Sequence, residues 1–140
     1  AIEHNTGFAP TAYLQFGDGA ATPKPRFTFR DNLGGNARYV YNSPLGDGAA
    51  MFTAYGVPLG NVVGNVIARS PSDGDNGFPK GNQYVGSIAD IGFRRWGGPD
   101  VSGFALAPTS RHKGAAHNRT DAGADIQELM KRTASAVVAP

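Results

Sequence analysis

The chain has 140 residues, a mass of 14.6 kDa and a formal net charge of +2, which is enough for one domain. Its 20 glycines and 10 prolines make up about a fifth of the positions, against a usual share of roughly 12%. This composition argues against a coiled coil, a helical bundle and a solenoid, and the absence of cysteine excludes disulfides, thiolate metal sites and a cysteine nucleophile.

Most of the chain is predicted to consist of short strands. Residues 1–11 are polar and contain glycine, and we expect them to form an N-terminal arm. Beyond them, short apolar runs alternate with turn signals rich in Gly, Asp and Asn, among them residues 32–36, which is the pattern of successive strands. The predicted strands are 12–16, 26–30, 37–41, 50–55, 62–68, 83–93 and 101–107.

These strands are expected to pair in the antiparallel sense. Turn signals recur roughly every 10 to 15 residues, a spacing typical of sandwiches and jelly rolls. No helical pattern lies between the predicted strands, whereas parallel pairing usually needs a helix in each crossover. The sequence therefore predicts an all-β fold, an antiparallel β-sandwich or jelly roll with one short C-terminal helix and extended terminal arms.

One short segment recurs along the chain. Phe16-Gly17-Asp18-Gly19-Ala20-Ala21 is echoed 29 positions later by Leu45-Gly46-Asp47-Gly48-Ala49-Ala50. Either two turns of the same type lie at corresponding ends of the sheets, or the abundance of these residue types produces the match by chance. Two copies are too few for a repeat protein.

The single predicted helix covers residues 121–133. Asp121 is the expected N-cap, and an apolar stripe at helical spacing runs from Ile126 to Thr133. Residues 12–133 then form a single β-rich domain that includes this helix, and residues 134–140 form a C-terminal arm.

The sequence carries no motif of enzymatic chemistry. Nucleophile-elbow, Walker and dinucleotide-binding patterns are absent, and the loop around Asp73 lacks the spacing of an EF-hand. His4, His112 and His117 are expected to be solvated loop residues rather than metal ligands. We therefore expect no catalytic residues, no metal and no cofactor.

The strongest candidate for a binding site is Arg94-Arg95-Trp96. Arginine and tryptophan are enriched at interface hot spots, so these residues indicate a protein partner; alternatively, Trp96 anchors the core and the arginines are solvated. Arg111 and Lys113 complete the predicted partner-binding set. Because the basic residues Arg111, Lys113 and Arg119 have no aromatic residues interleaved among them, nucleic acid is not the expected partner. No apolar run is long enough to span a membrane.

The chain combines a cysteine-free run of strands rich in Gly, Ala and Pro, from Ala12 to Ala107, with the C-terminal tail Ala136-Val137-Val138-Ala139-Pro140. In these features the chain resembles the small capsid decoration, or cement, proteins of tailed bacteriophages. The resemblance implies a non-enzymatic protein on the outer surface of a virion that binds the major capsid protein and clamps adjacent subunits. It also implies self-association as a dimer or trimer.

Two other functions remain open at this stage. One is a carbohydrate- or receptor-binding β-sandwich module of a fibre tip or adhesin, in which aromatic side chains stack on sugars. The candidate platforms are Tyr13, Tyr39, Tyr41, Tyr55 and Trp96. The other is a small coat protein that assembles a shell by itself.

Overall fold

The first two passes of the chain run through the same three β-sheets in the same order, and later passes add strands to the first and central sheets. The computed structural model describes residues 1–17, 19–69 and 77–134. The first pass contains β1 (Ile2–Glu3), β2 (Thr6–Phe8) and β3 (Ala12–Gln15). The second contains β4 (Phe29–Arg30), β5 (Leu33–Ala37) and β6 (Tyr39–Asn42), and later passes add β7 (Val62–Val63), β8 (Val66–Arg69) and β9 (Gln83–Val85).

Strands one pass apart pair with each other, and all of these pairings are parallel. The first sheet has the order β1-β4-β7, the central sheet β2-β5-β8-β9 and the third sheet β3-β6. Along the central sheet, Thr6 lies opposite Leu33, Leu33 opposite Val66, and Val66 opposite Gln83. Each pass is therefore one coil of a parallel β-solenoid; residues 2–15 form the first coil and residues 29–42 the second.

The predicted antiparallel sandwich or jelly roll is wrong, and so is the exclusion of a solenoid. That prediction assumed that a parallel partner is reached through a helix. Here the connection between parallel partners consists of strands of the other sheets and the corners between them, so no helical pattern is needed. In the described part of the chain, the only antiparallel bridge joins Phe93 to Leu106.

Several predicted strands have a different structure. Residues 50–55 lie mostly in helix α1 (Gly48–Ala54), where alanines favour the helix and Met51, Phe52 and Tyr55 are buried together. The segments 83–93 and 101–107 contain the 3-10 turns Ile88–Ile91 and Val101–Phe104. The run 62–68 is divided into two strands at a corner.

The ends of the chain also differ from the prediction. Residues 1–11, expected to form an arm, contribute β1 and β2 to two different sheets. Helix α2 (Ile126–Thr133) begins later than predicted, with Asp125 rather than Asp121 accepting a hydrogen bond from the Glu128 N–H at 2.9 Å. Asp121 instead binds the Gly114 N–H and Lys113. Residues 135–140 of the predicted C-terminal arm lie outside the described residues.

A ladder of four asparagines fixes the corner between the first and central sheets. The backbone N–H of Asn5 donates to Oδ1 of Asn32 at 3.1 Å. The Asn32 N–H donates to Oδ1 of Asn65 at 2.9 Å, and the Asn65 N–H to Oδ1 of Asn82 at 3.0 Å. The residue before each of these asparagines has a positive φ, between 51° and 82°. The same turn is thus repeated in every coil, which sets the register of the strands that follow.

Two adjacent glycines allow β5 to stack closely on its neighbours. A Cβ on Gly34 would lie 1.8 Å from the Gly7 carbonyl oxygen, and one on Gly35 would lie 2.2 Å from that of Ala68. Both residues have positive φ, which glycine adopts readily. The Gly-rich segment 32–36, expected to be a turn, is therefore a strand whose backbone lies against two others.

The central sheet separates two hydrophobic cores. The inner core, enclosed by the coils and α1, includes Phe29, Tyr41, Phe52 and Ile67. The outer core lies between the opposite face of the sheet and the chain from residue 88 to residue 122. Along β8, Ile67 belongs to the inner core while its neighbours Val66 and Ala68 belong to the outer one, as expected from the alternation of side chains along a strand.

Candidate functional site

Four aromatic rings form a partly exposed patch beside the outer core. Phe8 on the edge strand β2 lies 4.4 Å from Trp96 between ring centroids. Phe93 and Phe104 complete the cluster, in which all six centroid distances lie between 4.4 and 6.1 Å. Trp96 nevertheless remains 46% exposed. We call Phe8, Phe93, Trp96 and Phe104 the Trp96 patch.

The loop that carries Trp96 is closed by backbone hydrogen bonds. The Arg94 N–H donates to the Ala105 carbonyl at 2.8 Å, and the Arg95 N–H donates to the Gly103 carbonyl at 3.0 Å. A Cβ on Gly103 would lie 2.5 Å from the Arg95 carbonyl oxygen, so this approach requires glycine. At the tip of the loop, hydrogen bonds from Ser102 hold the pKa of Asp100 below its usual value. Trp96 is thus presented by an ordered loop.

The structure brings three of the predicted partner-binding residues to this surface. Arg94 and Arg95 are exposed and immediately precede Trp96 in the sequence. The Arg95 side chain is 61% exposed, and its Nη2 lies 3.6 Å from Oδ2 of Asp100. An exposed aromatic surface with a cationic rim results.

A cavity of about 480 Å³ adjoins the Trp96 patch through Phe104. Arg94 and Lys113 both line it, so a fourth residue of the predicted set lies close to the same surface. Asp121 and Asp125 line it as well, but both carboxylates are engaged: Asp121 pairs with Lys113, and Asp125 caps α2. The cavity is therefore polar, with charges of both signs.

Arg111, the fifth predicted residue, is exposed but does not line this cavity. Its Nε lies 3.2 Å from Nε2 of His112. His112 is only 3% exposed, contrary to the expected solvated loop position, and its ring nitrogens face Gln83 and the Asp90 carbonyl. Burial, together with the charge of Arg111, lowers the pKa of His112, which favours the neutral imidazole.

A fully buried carboxylate joins the coils to the C-terminal part of the chain. Oδ1 of Asp31 accepts a hydrogen bond from the His117 N–H at 2.7 Å, and its Oδ2 contacts Nδ1 of His117. Nε2 of His4 lies 3.5 Å from the same Oδ2. The Asp31 carbonyl also accepts from the Gly123 N–H at 2.7 Å. In the described residues, no group of three or more His, Cys, Asp or Glu has a geometry that could hold a metal ion.

Most of the aromatic residues considered as sugar platforms are not available for stacking. Tyr41 and Tyr55 are buried in the inner core, and the Tyr13 hydroxyl donates to the Leu33 carbonyl at 3.1 Å. Burial raises the pKa of Tyr41 and raises that of its hydrogen-bond partner Tyr84 to about 12. Tyr39 is partly buried, so Trp96 is the one exposed member of that set.

Sequence reasoning missed the asparagine ladder and Asp31, although a signal was present. Gly, Asp or His, which tolerate positive φ, precede an asparagine eight times in the sequence, and four of these pairs form the turn that leads into a strand of the central sheet. The four pairs are His4-Asn5, Asp31-Asn32, Gly64-Asn65 and Gly81-Asn82. Aligning these four pairs places the stacked strands of the central sheet in register, although the pairs are spaced unevenly along the chain.

No described helix has the length and apolar character needed to cross a membrane. Comparisons with protein-family models, with curated proteins and with solved structures find no match to this chain. Its function must therefore be inferred from its own geometry.

Proposed function

We propose that this chain is a non-enzymatic structural protein that binds the outer surface of a viral capsid and cements adjacent major capsid subunits. The observation that supports the proposal best is the Trp96 patch. It combines a half-exposed tryptophan with three phenylalanines, one of them on β2, and two exposed arginines immediately precede the tryptophan in the sequence. Tryptophan and arginine are the side chains that most often dominate the binding energy of protein interfaces.

The environment of the patch suits a protein partner. Phe8 packs against Trp96 within the protein. A partner that covers the exposed part of the Trp96 side chain would therefore bury the whole ring. The arginines at the rim can form ion pairs with acidic residues of the partner, which would favour fast and specific association.

The state of the nearby carboxylates favours a role other than catalysis. Asp121 and Asp125 face the cavity but serve Lys113 and the start of α2. Asp31 is fully buried and holds His117. A general acid or base needs an oxygen within reach of a substrate, and these three groups already have structural partners.

Binding to preformed capsids tests the proposal. We expect the chain to bind, to saturate at a copy number set by the capsid symmetry, and to raise the temperature at which the capsids break open. Trp96→Ala should weaken binding at least tenfold, which corresponds to about 1.4 kcal/mol or more. Leu59→Ala is the matched control, because Leu59 is similarly exposed (40%) on a different part of the surface.

Two results would reject the proposal. One is failure of the wild-type chain to bind any capsid offered, and the other is equal binding by the wild type and Trp96→Ala. Spontaneous formation of shells by the isolated chain would identify a coat protein instead.

A second candidate function is binding of a carbohydrate, as in a fibre tip or an adhesin. The observation that favours it is the polar cavity, which Arg94, Lys113 and Phe104 all line. Such a site suits an acidic sugar, whose carboxylate would meet the cations while its ring stacks on the aromatic side chain. Selective binding on an array of neutral and acidic glycans, lost in Arg94→Ala, would establish this function.

A further inference from the structure

The large apolar side chains that remain exposed are concentrated in one part of the protein. Among the described residues, the exposed ones are Ile2, Leu45, Leu59, Trp96, Val101, Leu129 and Met130. The first three belong to β1, to the turn after β6 and to the turn before β7. The other four lie on only three segments, which are the loop that carries Trp96, the 3-10 turn Val101–Phe104 and helix α2.

These three segments adjoin one another. Helix α2 packs against the 3-10 turn, and backbone hydrogen bonds join that turn to the loop that carries Trp96. The cavity beside the Trp96 patch is lined by Arg94 from the loop, by Phe104 from the turn and by Ile126 from the helix. We call residues 94–104 and 126–133 together the Trp96–α2 surface. It extends the Trp96 patch by one helix.

The Trp96–α2 surface carries the net charge of the chain. Its charged residues are the cations Arg94, Arg95, Lys131 and Arg132 and the carboxylates Asp100 and Glu128. Their net charge of +2 equals the formal net charge of the whole chain, so the remaining residues are neutral in sum. An apolar surface with this charge is complementary to a surface that combines apolar and acidic residues.

Arg94 is a cation without a partner of its own. Nη2 of Arg95 lies 3.6 Å from Oδ2 of Asp100, and Nε of Arg132 lies 2.7 Å from Oε1 of Glu128. No described carboxylate pairs with the guanidinium of Arg94, which is exposed and lines the cavity. A carboxylate that binds Arg94 therefore gains a charge-assisted hydrogen bond without breaking an existing ion pair.

The charge and the shape of the surface discriminate between the classes of occupant. Two copies of a surface with a net charge of +2 repel each other, which disfavours a second copy of the chain. A lipid surface is bound by apolar side chains that insert into it. Here the exposed fractions of the four apolar side chains lie between 38% and 46%, and Ile126 of α2 is buried. Little of each side chain is therefore available for insertion, and a protein partner is favoured.

We propose that the Trp96–α2 surface binds an acidic segment of the partner protein. An apolar side chain of this segment covers Trp96, a neighbouring carboxylate pairs with Arg94, and the segment continues over the exposed side chains of α2. The inference deepens the proposed function and rests on it only for the identity of the partner as a capsid subunit. The chemistry of the segment, acidic residues next to an apolar or aromatic one, follows from the surface itself.

A random copolymer of glutamate and tyrosine is a suitable probe, because it presents acidic residues beside aromatic ones and contains no capsid. A copolymer of lysine and tyrosine is its charge-reversed counterpart. Binding of each labelled copolymer to the full chain is followed by fluorescence anisotropy. We expect the chain to bind the acidic copolymer at least about tenfold more tightly than the basic one, and this affinity should fall as salt is added.

Two pairs of variants locate the binding on the Trp96–α2 surface. Leu129→Ala should weaken binding of the acidic copolymer by about threefold or more, whereas Leu59→Ala should not, although both leucines are 40% exposed. Arg94→Ala should weaken it by about fivefold. Its control is Arg38→Ala, which removes the same charge from an exposed position before β6 and should change the affinity by less than about twofold.

Absence of binding to the acidic copolymer, equal affinity for the two copolymers, or unchanged affinity in Arg94→Ala and Leu129→Ala would each overturn the inference. Binding to vesicles of anionic phospholipid that is lost in Leu129→Ala would identify a membrane as the occupant instead. Self-association that is lost in Trp96→Ala would identify a second copy of the chain. Because the copolymer assay contains no capsid, failure of the chain on capsids would reject the proposed function and leave this result intact.

Discussion

The two faces of the central sheet carry hydrophobic cores that are organised in different ways. The inner core lies within repeated coils, where every strand has a partner at a fixed register and the corner is held by the asparagine ladder. The outer core is covered by a chain of short 3-10 turns and loops with one antiparallel bridge. This covering chain, which we call the outer layer, is attached to the coils by a few specific hydrogen bonds, above all those of Asp31 with His117 and Gly123.

This difference separates the roles of the two regions. Repetition makes the coils a rigid support, because every strand is paired with the equivalent strand of another coil and the inner strands β4, β5 and β8 are paired on both sides. The chain that covers the outer core is not held by repeated strand pairing. It carries the exposed loop with Trp96 and forms most of the cavity wall. Interaction surfaces are commonly placed on loops that a regular scaffold positions.

The largest expected effect is a deletion in the inner core. Phe52 is fully buried and its ring lies 4.8 Å from that of Tyr41. Phe52→Ala should lower the free energy of unfolding by about 3–5 kcal/mol, because a cavity remains within the coils. Urea unfolding followed by circular dichroism measures this loss, and a change below about 1 kcal/mol would show that the coils are not the stable unit.

A smaller loss is expected from an inner position of the ladder. Oδ1 of Asn65 accepts from the Asn32 N–H, and its Nδ2 donates to the Phe29 carbonyl at 3.0 Å. Asn65→Ala leaves these buried groups unpaired and should cost about 2–3 kcal/mol in the same assay. Asn5→Ala, at the exposed end, is the control and should cost less than about 1 kcal/mol; equal costs would argue against the ladder.

The attachment of the outer layer can be weakened selectively. Asp31→Asn preserves a residue that tolerates the φ of 58° but removes the negative charge that His117 contacts. We expect a loss of about 2 kcal/mol, with faster hydrogen exchange of the His117 and Gly123 amides than of the ladder amides. Equally faster hydrogen exchange at the ladder amides would contradict the claim that the outer layer can be destabilised without the coils.

The smallest expected effect is a pH dependence that originates in the outer layer. Burial lowers the pKa of His112 in the folded protein, so the unfolded chain binds a proton at a higher pH. Stability should therefore decrease as the pH falls below about 6.5, the ordinary value for histidine. Thermal unfolding between pH 7.5 and 5 would show the decrease, and His112→Gln should reduce it; an unchanged slope in that variant would exclude His112 as its source.

The local composition of the sequence predicted some elements and their positions. The strand at 12–16, the strand character of 62–68 and the existence of a C-terminal helix follow from apolar patterns and capping residues. The loop with Arg94, Arg95 and Trp96 was selected by residue type, and the structure places all three at one exposed surface.

The pairing of the strands could not be obtained from the same local patterns. Partners in the first two coils are 27 positions apart, whereas the conspicuous echo at Phe16 and Leu45 has a spacing of 29 and does not mark the register. The short turns before the ladder asparagines do mark the register, but each turn is only two residues long and gives a weak sequence signal. Gly34-Gly35 was misinterpreted as a turn because sequence alone does not show that another backbone lies against it.

Cross-linking of the first two coils tests the parallel arrangement most directly. The Glu3 and Arg30 side chains lie opposite each other on β1 and β4, with Oε1 and Nε 2.9 Å apart. The native chain has no cysteine, so the double variant Glu3→Cys with Arg30→Cys should form one disulfide under mild oxidation. A control pair, Glu3→Cys with Lys131→Cys on α2, should remain reduced. Failure of the Glu3–Arg30 pair to cross-link in the folded protein would contradict the stacked parallel coils.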